Sequence, residues 1–342
     1  QLALIPLVDA IAAGNCAAVK PSRTSEHTAR VLARCIAEVF EPTHVRLFPG
    51  SSAMNELLLA ETWDLIFFTG SPRVGHTILR AAAEHLTPCV LELGGKSPCI
   101  VDASANVHRA AQRIAWGKGT NAGQTCVAPD YFLVHTSVLE RFVTELEAAF
   151  TRMYGEDARC SDEWPRIINR HHFDRVMGLI TDRGPDVRLA FGGEGDLKTL
   201  KIQPTCLVDV TADDAVMQEE IFGPVCPVVP FETLDEAIAF VHTFEKPLAC
   251  YVFAEDGAVQ RRVLEEISSG GACVNDVVIH LANPKMGFGG VGNSGMGAYH
   301  GETGFFTMSH RKSTIKKGTW VELPFRSAPF GDRIALLRKF MK

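Results

Sequence analysis

The sequence lacks the features that mark several common classes of protein. Its ten cysteines form no C-x-x-C pair, which gives a zinc site little support. No apolar run is long enough to cross a membrane, and segment 1–13 has no basic residue and contains Asp9, which argues against a secretory signal. The net charge is −6, which argues against a general nucleic-acid binder. We therefore expect a soluble, cytoplasmic protein with no metal site, no nucleic-acid partner and no stable membrane insertion.

What the sequence does have is a regular alternation of strands and helices. Its 342 residues are 46% hydrophobic, which is enough for a core of ordinary size in about two domains. Apolar runs bounded by turn residues predict strands, and the clearest of these are 64–69, 89–93, 98–101, 131–135 and 249–253. Amphipathic helices separate them, so we predict an α/β fold with open, doubly wound parallel sheets.

Two glycine-rich segments are candidates for ligand binding. Gly70 and Ser71 follow a predicted strand, and Pro72 suits the first position of a helix, whose free N–H groups can bind a pyrophosphate. The alternative is an ordinary capped helix. Segment 287–292 matches G-x-G-x-x-G, but no convincing helix follows it. We interpret it as a loop beside a substrate or cofactor.

A cysteine and a glutamate lie in polar, glycine-rich surroundings that suit catalysis. Cys126 ends Gly-Gln-Thr-Cys, and Glu92 lies in Leu-Glu-Leu-Gly-Gly-Lys at the end of an apolar strand. A thiolate can attack a carbonyl carbon, and a carboxylate can activate the water that releases the acyl product. The alternatives are an inert buried thiol and a glutamate paired with Lys96. We predict a nucleophile at Cys126 and a general base at Glu92.

A third segment, Glu219–Pro224, combines acidic residues, an aromatic residue and a tight turn. A carboxylate here can accept hydrogen bonds from ribose hydroxyls, and Phe222 can pack on a flat ring. The alternative is a surface turn.

Taken together, these motifs resemble the aldehyde dehydrogenase superfamily. LELGGK, GQTC, EEIFGPV, FTGSPRVG and KPS occur in the family's order, and the resemblance runs from Pro6 to about Ser313. GKGTNAGQTCVAPDY, RVMGLI, FGGVGNSGMGAYHG and SHRKS are similar to the class 3 branch, which acts on fatty and aromatic aldehydes. The resemblance implies a Rossmann-like nucleotide-binding domain at 1–93, a catalytic domain at 94–303, an active site between them, and a tail at 304–342 that contacts another domain or a second subunit.

The resemblance also implies roles for individual residues. Cys126 would form a hemithioacetal and then a thioester, with hydride passing to NAD or NADP, and Glu92 would activate the water that releases the acid. A depressed pKa is expected for Cys126 when the cofactor is bound. The backbone N–H of Cys126 matches half of the oxyanion hole. The implied cofactor-binding residues are Lys20, Arg23, Gly70, Ser71, Gly75, Leu93, Glu220 and Phe222.

The sequence departs from the family pattern in two places. The asparagine of the oxyanion hole, the first part of the nucleotide domain and the oligomerisation hairpin would precede Gln1. We therefore expect the 342-residue chain by itself to be nearly inactive, because loss of one such donor costs about 10²–10³ in rate, and a longer, homodimeric parent to be active. Many relatives carry a glutamate where this chain has Arg23, and a cation there favours a 2′-phosphate, hence NADP. The alternative is an Arg23 that points to solvent.

Two other functions remain open at this stage. The same Cys126 and Glu92 can serve a cofactor-independent thiol esterase, and the chain can be a truncated, non-catalytic relative. His280 would lie near the substrate entrance by analogy, or on the surface.

Overall fold

The computed structural model describes residues 2–322, 326–331 and 334–341. It divides into a compact unit, Gln1–Ser309, and a second unit, His310–Lys342. The helices are α1 (Leu4–Ala12), α2 (Glu26–Val39), α3 (Ser52–Ala60), α4 (Pro72–Ala83), α5 (Val107–Gly119), α6 (Leu139–Tyr154), α7 (Arg170–Thr181), α8 (Ala215–Gln218), α9 (Leu234–Val241), α10 (Gly257–Glu266), α11 (Gly301–Thr307) and, in the second unit, α12 (Ile334–Phe340).

The strands are β1 (Ala17–Val19), β2 (Val45–Leu47), β3 (Ile66–Thr69), β4 (Cys89–Glu92), β5 (Pro98–Val101), β6 (Tyr131–His135), β7 (Arg188–Phe191), β8 (Gly195–Asp196), β9 (Lys201–Ile202), β10 (Thr205–Val208), β11 (Val225–Phe231), β12 (Ala249–Phe253), β13 (Gly271–Val274) and β14 (Gly295–Met296). Strands β5, β6 and β12 have the predicted bounds.

Seven strands form the largest sheet, in the order β13-β12-β5-β6-β11-β10-β7. Every neighbouring pair is parallel except β10 with β7, which is antiparallel. Successive residues of β6 pack on opposite faces: Phe132 joins one buried cluster with α5 and α6, and Leu133 joins the other with α7 and α9. Both faces of the sheet are therefore covered by helices, which explains the continuous apolar sequence of its strands and confirms the doubly wound α/β prediction.

Sequence reasoning missed strand β11, although it lies in the middle of this sheet. Pro227 and Pro230 interrupt its apolar run, and proline is normally excluded from central strands because it cannot donate to the ladder. In the structure Pro227 is in register with Leu207 of β10, and Pro230 with Val134 of β6. Burial of the remaining apolar residues on both faces outweighs the two lost donors.

The strands of the N-terminal third belong to two smaller sheets, one of which also includes β14. Strands β1 and β2 pair in parallel, and a second sheet has the order β14-β4-β3. Strand β3 is parallel to β4, and β14 is antiparallel to it, with Gly295 opposite Glu92. Candidate residues therefore lie directly after three strands: Lys20 after β1, Gly70 after β3 and Leu93 after β4. Within the described ranges, no helix is both long and apolar enough to span a bilayer.

Candidate active site

Cys126 lies in a loop that leaves α5 through three consecutive left-handed residues. The φ angles are 53° at Asn121, 51° at Ala122 and 73° at Gly123. The first two are unusual for residues that carry a Cβ, and such strain concentrates at functional sites. A Cβ on Gly123 would lie 2.3 Å from the carbonyl oxygen of Gly223, so glycine is required there. The cysteine loop therefore lies directly against the segment that contains Glu220 and Phe222.

Gln124 fixes the conformation of this loop. Its side-chain amide donates to the carbonyl oxygens of Asn121, at 3.0 Å, and Arg166, at 3.1 Å. Its side-chain oxygen accepts from the backbone N–H of Ile168 at 2.9 Å. Sequence reasoning noted Gln124 only as a polar neighbour of Cys126. Its contacts with residues more than 40 positions away show that it anchors the loop to the segment just before α7.

Glu92 is the last residue of β4 and is almost completely enclosed. It is 3% exposed, and neither carboxylate oxygen has a hydrogen-bond partner among the described residues. Burial raises its pKa to about 8, because removal from water disfavours the charged form. The carboxyl group therefore exchanges a proton close to neutral pH, as a general base must.

The alternative in which Glu92 pairs with Lys96 is wrong. The Lys96 ammonium donates to Asp130 Oδ2 at 2.5 Å, and to the carbonyl oxygens of Val216 at 2.9 Å and Glu219 at 3.1 Å. All three donors of the lysine are used in this way. Among the residues that the structure describes, Glu92 is thus left without a compensating cation.

The Cys126 thiol is half-buried, and the surrounding protein groups favour its neutral form. Its pKa rises to about 12, first through burial and then through the negative charges of Glu220 and Glu92. Both carboxylates therefore lie within electrostatic reach of the sulfur. The depressed pKa expected from sequence concerned the cofactor-bound protein, and the protein groups alone act in the opposite direction.

Glu220 lies over the backbone of the Leu-Gly-Gly segment. A Cβ on Gly94 would lie 2.0 Å from Glu220 Oε2, so only glycine leaves room for the carboxylate. Burial, followed by the charge of Asp130, raises the pKa of Glu220 to about 8, while a hydrogen bond from the Gly95 backbone opposes the shift. The alternative of a plain surface turn is wrong, since Glu220 is only partly exposed and its carboxylate packs against Gly94.

Two polar contacts hold the turn that carries Glu220 and Phe222. On one side, Asp130 Oδ1 accepts from the backbone N–H of Ile221 at 2.9 Å, and Asp130 is itself bound to Lys96. On the other side, Arg175 of α7 donates to Glu219 Oε1 at 3.1 Å and to the Ile221 carbonyl at 2.5 Å. Sequence reasoning assigned no role to Asp130 or Arg175, because their partners are 34 to 91 positions away.

Phe222 leaves this turn with an exposed ring. Its φ is 47°, unusual for a bulky residue, and its side chain is 37% exposed. The following residue, Gly223, contacts the Cys126 loop at Gly123. An accessible aromatic ring is therefore held next to the loop that carries the Cys126 sulfur.

The start of α4 provides the predicted anion-binding features. Ser71 is the N-cap residue and Pro72 the first helical residue, as predicted, and the Ser71 side chain makes no capping hydrogen bond. The N–H groups of the first turn are thus not capped by that side chain. A Cβ on Gly75 would lie 2.7 Å from the Leu93 side chain, so this glycine lets α4 pack closely on the end of β4. A pocket beside them is also lined by Gly292, Asn293 and Met296.

Lys20 and Arg23 lie after β1, in a different small sheet. Burial lowers the pKa of Lys20, and no hydrogen bond engages its ammonium within the described ranges. Arg23 is exposed and begins a 3₁₀ helix, Arg23–Ser25, whose N-cap is Ser22. No described contact joins either side chain to Cys126 or Glu92. The structure therefore brings together the catalytic candidates, Glu220 and the residues around α4, but records no contact from them to Lys20 or Arg23.

The donor set fits a nicotinamide dinucleotide. A helix N-terminus without a side-chain cap suits a pyrophosphate, the Lys20 ammonium and the half-buried Glu220 carboxylate suit ribose hydroxyls, and the exposed Phe222 ring suits a flat heterocycle. The three lie at strand ends or in tight turns, where ligands bind in doubly wound folds.

Comparison with known proteins agrees with this chemistry. The sequence profile of the Aldehyde dehydrogenase family matches residues 1–314. The chain is 48% identical over 317 residues to the rat "Aldehyde dehydrogenase, dimeric NADP-preferring", which covers 93% of this chain and 69% of the relative. It is 46% identical to mouse "Aldehyde dehydrogenase family 3 member B2" over 97% of this chain and 69% of the relative.

A solved structure has nearly the same fold. The substrate-bound state of Staphylococcus aureus AldH superposes with a TM-score of 0.95 at 45% identity, over 100% of this chain and 74% of that one. The chain belongs to the aldehyde dehydrogenase family. The sequence-based predictions of the family and of its class 3 branch are confirmed, as is the prediction of an enzyme that oxidises aldehydes with NAD(P). These matches do not favour the two alternative functions, a cofactor-independent thiol esterase and a truncated, non-catalytic member of the family.

Proposed function

We propose that Cys126 and Glu92 are the nucleophile and the general base of this aldehyde dehydrogenase. The observation that supports this most directly is a buried Glu92 carboxylate with no hydrogen-bond partner in the described part of the chain, close enough for its charge to act on the Cys126 thiol. A buried carboxylate without a partner is costly, and sites of this kind are enriched in function.

The Cys126 sulfur bonds to the aldehyde carbon, the thiol proton passes to the carbonyl oxygen, and the Cys126 backbone N–H stabilises that oxygen in the resulting hemithioacetal. When bound, NAD(P)⁺ supplies the hydride acceptor that converts this adduct to a thioester. Glu92 then takes a proton from water, and the water oxygen bonds to the thioester carbonyl carbon. The C–S bond breaks, a carboxylic acid leaves, and Cys126 regains its proton.

The cofactor-binding residues follow from the same arrangement. We assign the ribose hydroxyls to Lys20 and Glu220, the nicotinamide contact to Phe222, and the pyrophosphate to the α4 start. The residues that we propose to form the pyrophosphate site at the start of α4 are Gly70, Ser71, Gly75 and Leu93. Arg23, exposed and free of hydrogen bonds within the described residues, binds a 2′-phosphate, so NADP is accepted at least as well as NAD.

The remaining assignments rest on family habit and composition. We propose a homodimer, in line with the word "dimeric" in the name of the rat relative, and a cytoplasmic location. Fatty or aromatic aldehydes are the proposed substrate class. We also propose a nucleotide-binding domain at 1–93, a catalytic domain at 94–303 and a tail at 304–342.

Rapid mixing of the protein at its natural length with an aromatic aldehyde and NADP tests these roles. Wild type should show a burst of reduced cofactor equal to the number of sites, followed by steady turnover. Cys126→Ala should abolish the burst, and Glu92→Gln should keep it but slow the steady phase by 10²-fold or more. Cys89→Ala, at a second half-buried cysteine, should behave as wild type. A burst that survives in Cys126→Ala would refute the proposal.

A further inference from the structure

Buried polar atoms without partners are concentrated around Glu92. Nine buried side-chain nitrogen and oxygen atoms have no hydrogen-bond partner in the described part of the chain, and six of them belong to Thr69, Glu92, Tyr299 and His300. Most buried polar groups in proteins are satisfied by protein or by ordered water. Ordered water satisfies such groups where a buried site is polar and has room for it.

Strand geometry places Tyr299 on the same face of the sheet as the Glu92 side chain. Thr69 and Glu92 are in register on the parallel strands β3 and β4, so their side chains point to the same face. Phe67 is two residues before Thr69 and shares that face. The Tyr299 ring packs edge-on against Phe67, with 4.8 Å between centroids.

The Tyr299 ring is held rigidly in this position. Its backbone exchanges two hydrogen bonds with Phe288, at 2.8 and 2.9 Å, and its ring is 4.3 Å from that of His300. The backbone N–H of His300 donates to the buried carboxylate of Asp9 at 3.1 Å. The side chain of Tyr299 is 0% exposed, so its hydroxyl cannot turn to bulk solvent.

We propose that Tyr299 is a positioning residue for the general base: its phenolic O–H, through ordered water beside Thr69, donates a hydrogen bond to the Glu92 carboxylate. This inference rests on the proposed role of Glu92. The donated bond stabilises the ionised carboxylate and orients it toward the water that it activates.

Electrostatics agree with a donor role. Burial and the charges of Glu92, Cys126 and Asp9 raise the pKa of Tyr299, so its hydroxyl keeps its proton throughout the working pH range. Among the described residues, a fourth titratable group, the His300 ring, packs against the phenol with 4.3 Å between centroids.

The first test is independent of activity. Infrared difference spectra against Glu92→Gln would follow the Glu92 carboxyl through a pH titration in cofactor-free protein. Tyr299→Phe should move its midpoint upward from about 8 by about one pH unit. Tyr131→Phe is the matched control, because Tyr131 is also fully buried with an unpartnered hydroxyl but packs against Phe240 and Phe244. An unmoved midpoint in Tyr299→Phe, or an equal shift in both variants, would overturn the inference.

The second test separates this inference from the proposed function. A one-unit rise lowers the ionised fraction of Glu92 near pH 7 by about tenfold, so Tyr299→Phe should keep the burst rate and slow the steady phase by about tenfold. Equal slowing of both phases would contradict a role specific to Glu92. A wild-type protein with no burst would instead sink the proposed function. Thr69→Val, which removes the other hydroxyl at the water site, should slow only the steady phase, and a normal steady phase would count against the water bridge.

Discussion

The carboxylate of Glu220 occupies the space that any side chain at position 94 would need. A Cβ on Gly94 would lie 2.0 Å from Glu220 Oε2 and 2.5 Å from the carboxyl carbon. Two motifs that are 126 residues apart in sequence, since 220 − 94 = 126, therefore share one volume, and the conformation of Glu220 depends on the absence of a methyl group at Gly94.

Gly94→Ala should displace the Glu220 carboxylate and weaken cofactor binding. We expect the Kd for NADP, measured by calorimetry, to rise by about tenfold, comparable to the loss of one or two hydrogen bonds to a charged group. Gly257→Ala is the control, because a Cβ there meets no atom within 4 Å. Unchanged affinity in Gly94→Ala would show that Glu220 does not contact the cofactor.

Lys96→Met should destabilise the protein strongly. It would leave Asp130, which is 3% exposed, buried without its cation, at a cost of about 3–5 kcal/mol in the free energy of unfolding. Arg30→Met, in an exposed pair with Glu26, should cost about 0.5 kcal/mol or less. Urea unfolding measures both variants. The double variant Lys96→Met with Asp130→Asn should recover part of the loss, and no recovery would argue against an uncompensated charge as the cause.

Glu92 should make stability fall as pH rises. Its pKa is about 8 in the folded protein and 4.5 as the ordinary value, so between these pH values the folded state binds a proton that the unfolded state has released. The free energy of unfolding therefore falls by about 1.4 kcal/mol per pH unit between the two pKa values. The stabilisation that the Glu92 proton gives is fully lost above pH 8. Glu220 adds a slope of the same sign.

Glu92→Gln should remove its share of this slope, so that the variant matches wild type near pH 4.5 and is more stable at pH 8.5. Urea unfolding at the two pH values measures the difference. Glu38→Gln, on the exposed side of α2, is the control and should track wild type. Parallel pH profiles for Glu92→Gln and wild type would mean that Glu92 is not kept protonated by burial.

Arg23→Glu should reverse the preference between the two cofactors. Replacing a cation by an anion beside a 2′-phosphate should lower kcat/KM for NADP by tenfold or more relative to NAD. Arg34→Glu, an exposed charge reversal on α2, provides the control. If the ratio for the two cofactors stays the same in Arg23→Glu, the arginine points to solvent and the preference has another origin. Direct Kd measurements would separate binding from turnover.

Some features of the site could be predicted because they are local. The apolar runs at 98–101 and 131–135 predict buried strands whatever surrounds them, and Ser71-Pro72 predicts a helix start from its own backbone chemistry. The partner of Lys96 could not be predicted, because Glu92 is four residues away in sequence and Asp130 is 34. Strand β11 could not be predicted, because its two prolines argue locally against a strand. Its pairing with β10 and β6 forms only in the folded sheet.

The sequence by itself determined the family, the α/β alternation and the positions of Cys126 and Glu92, because motif order and periodicity are properties of the chain alone. Only the tertiary structure decided which charges meet. It left Glu92 without a cation, gave Lys96 to Asp130, and put Tyr299 on the face of Glu92, because these relations depend on strand register and on how closely glycine lets separate segments approach.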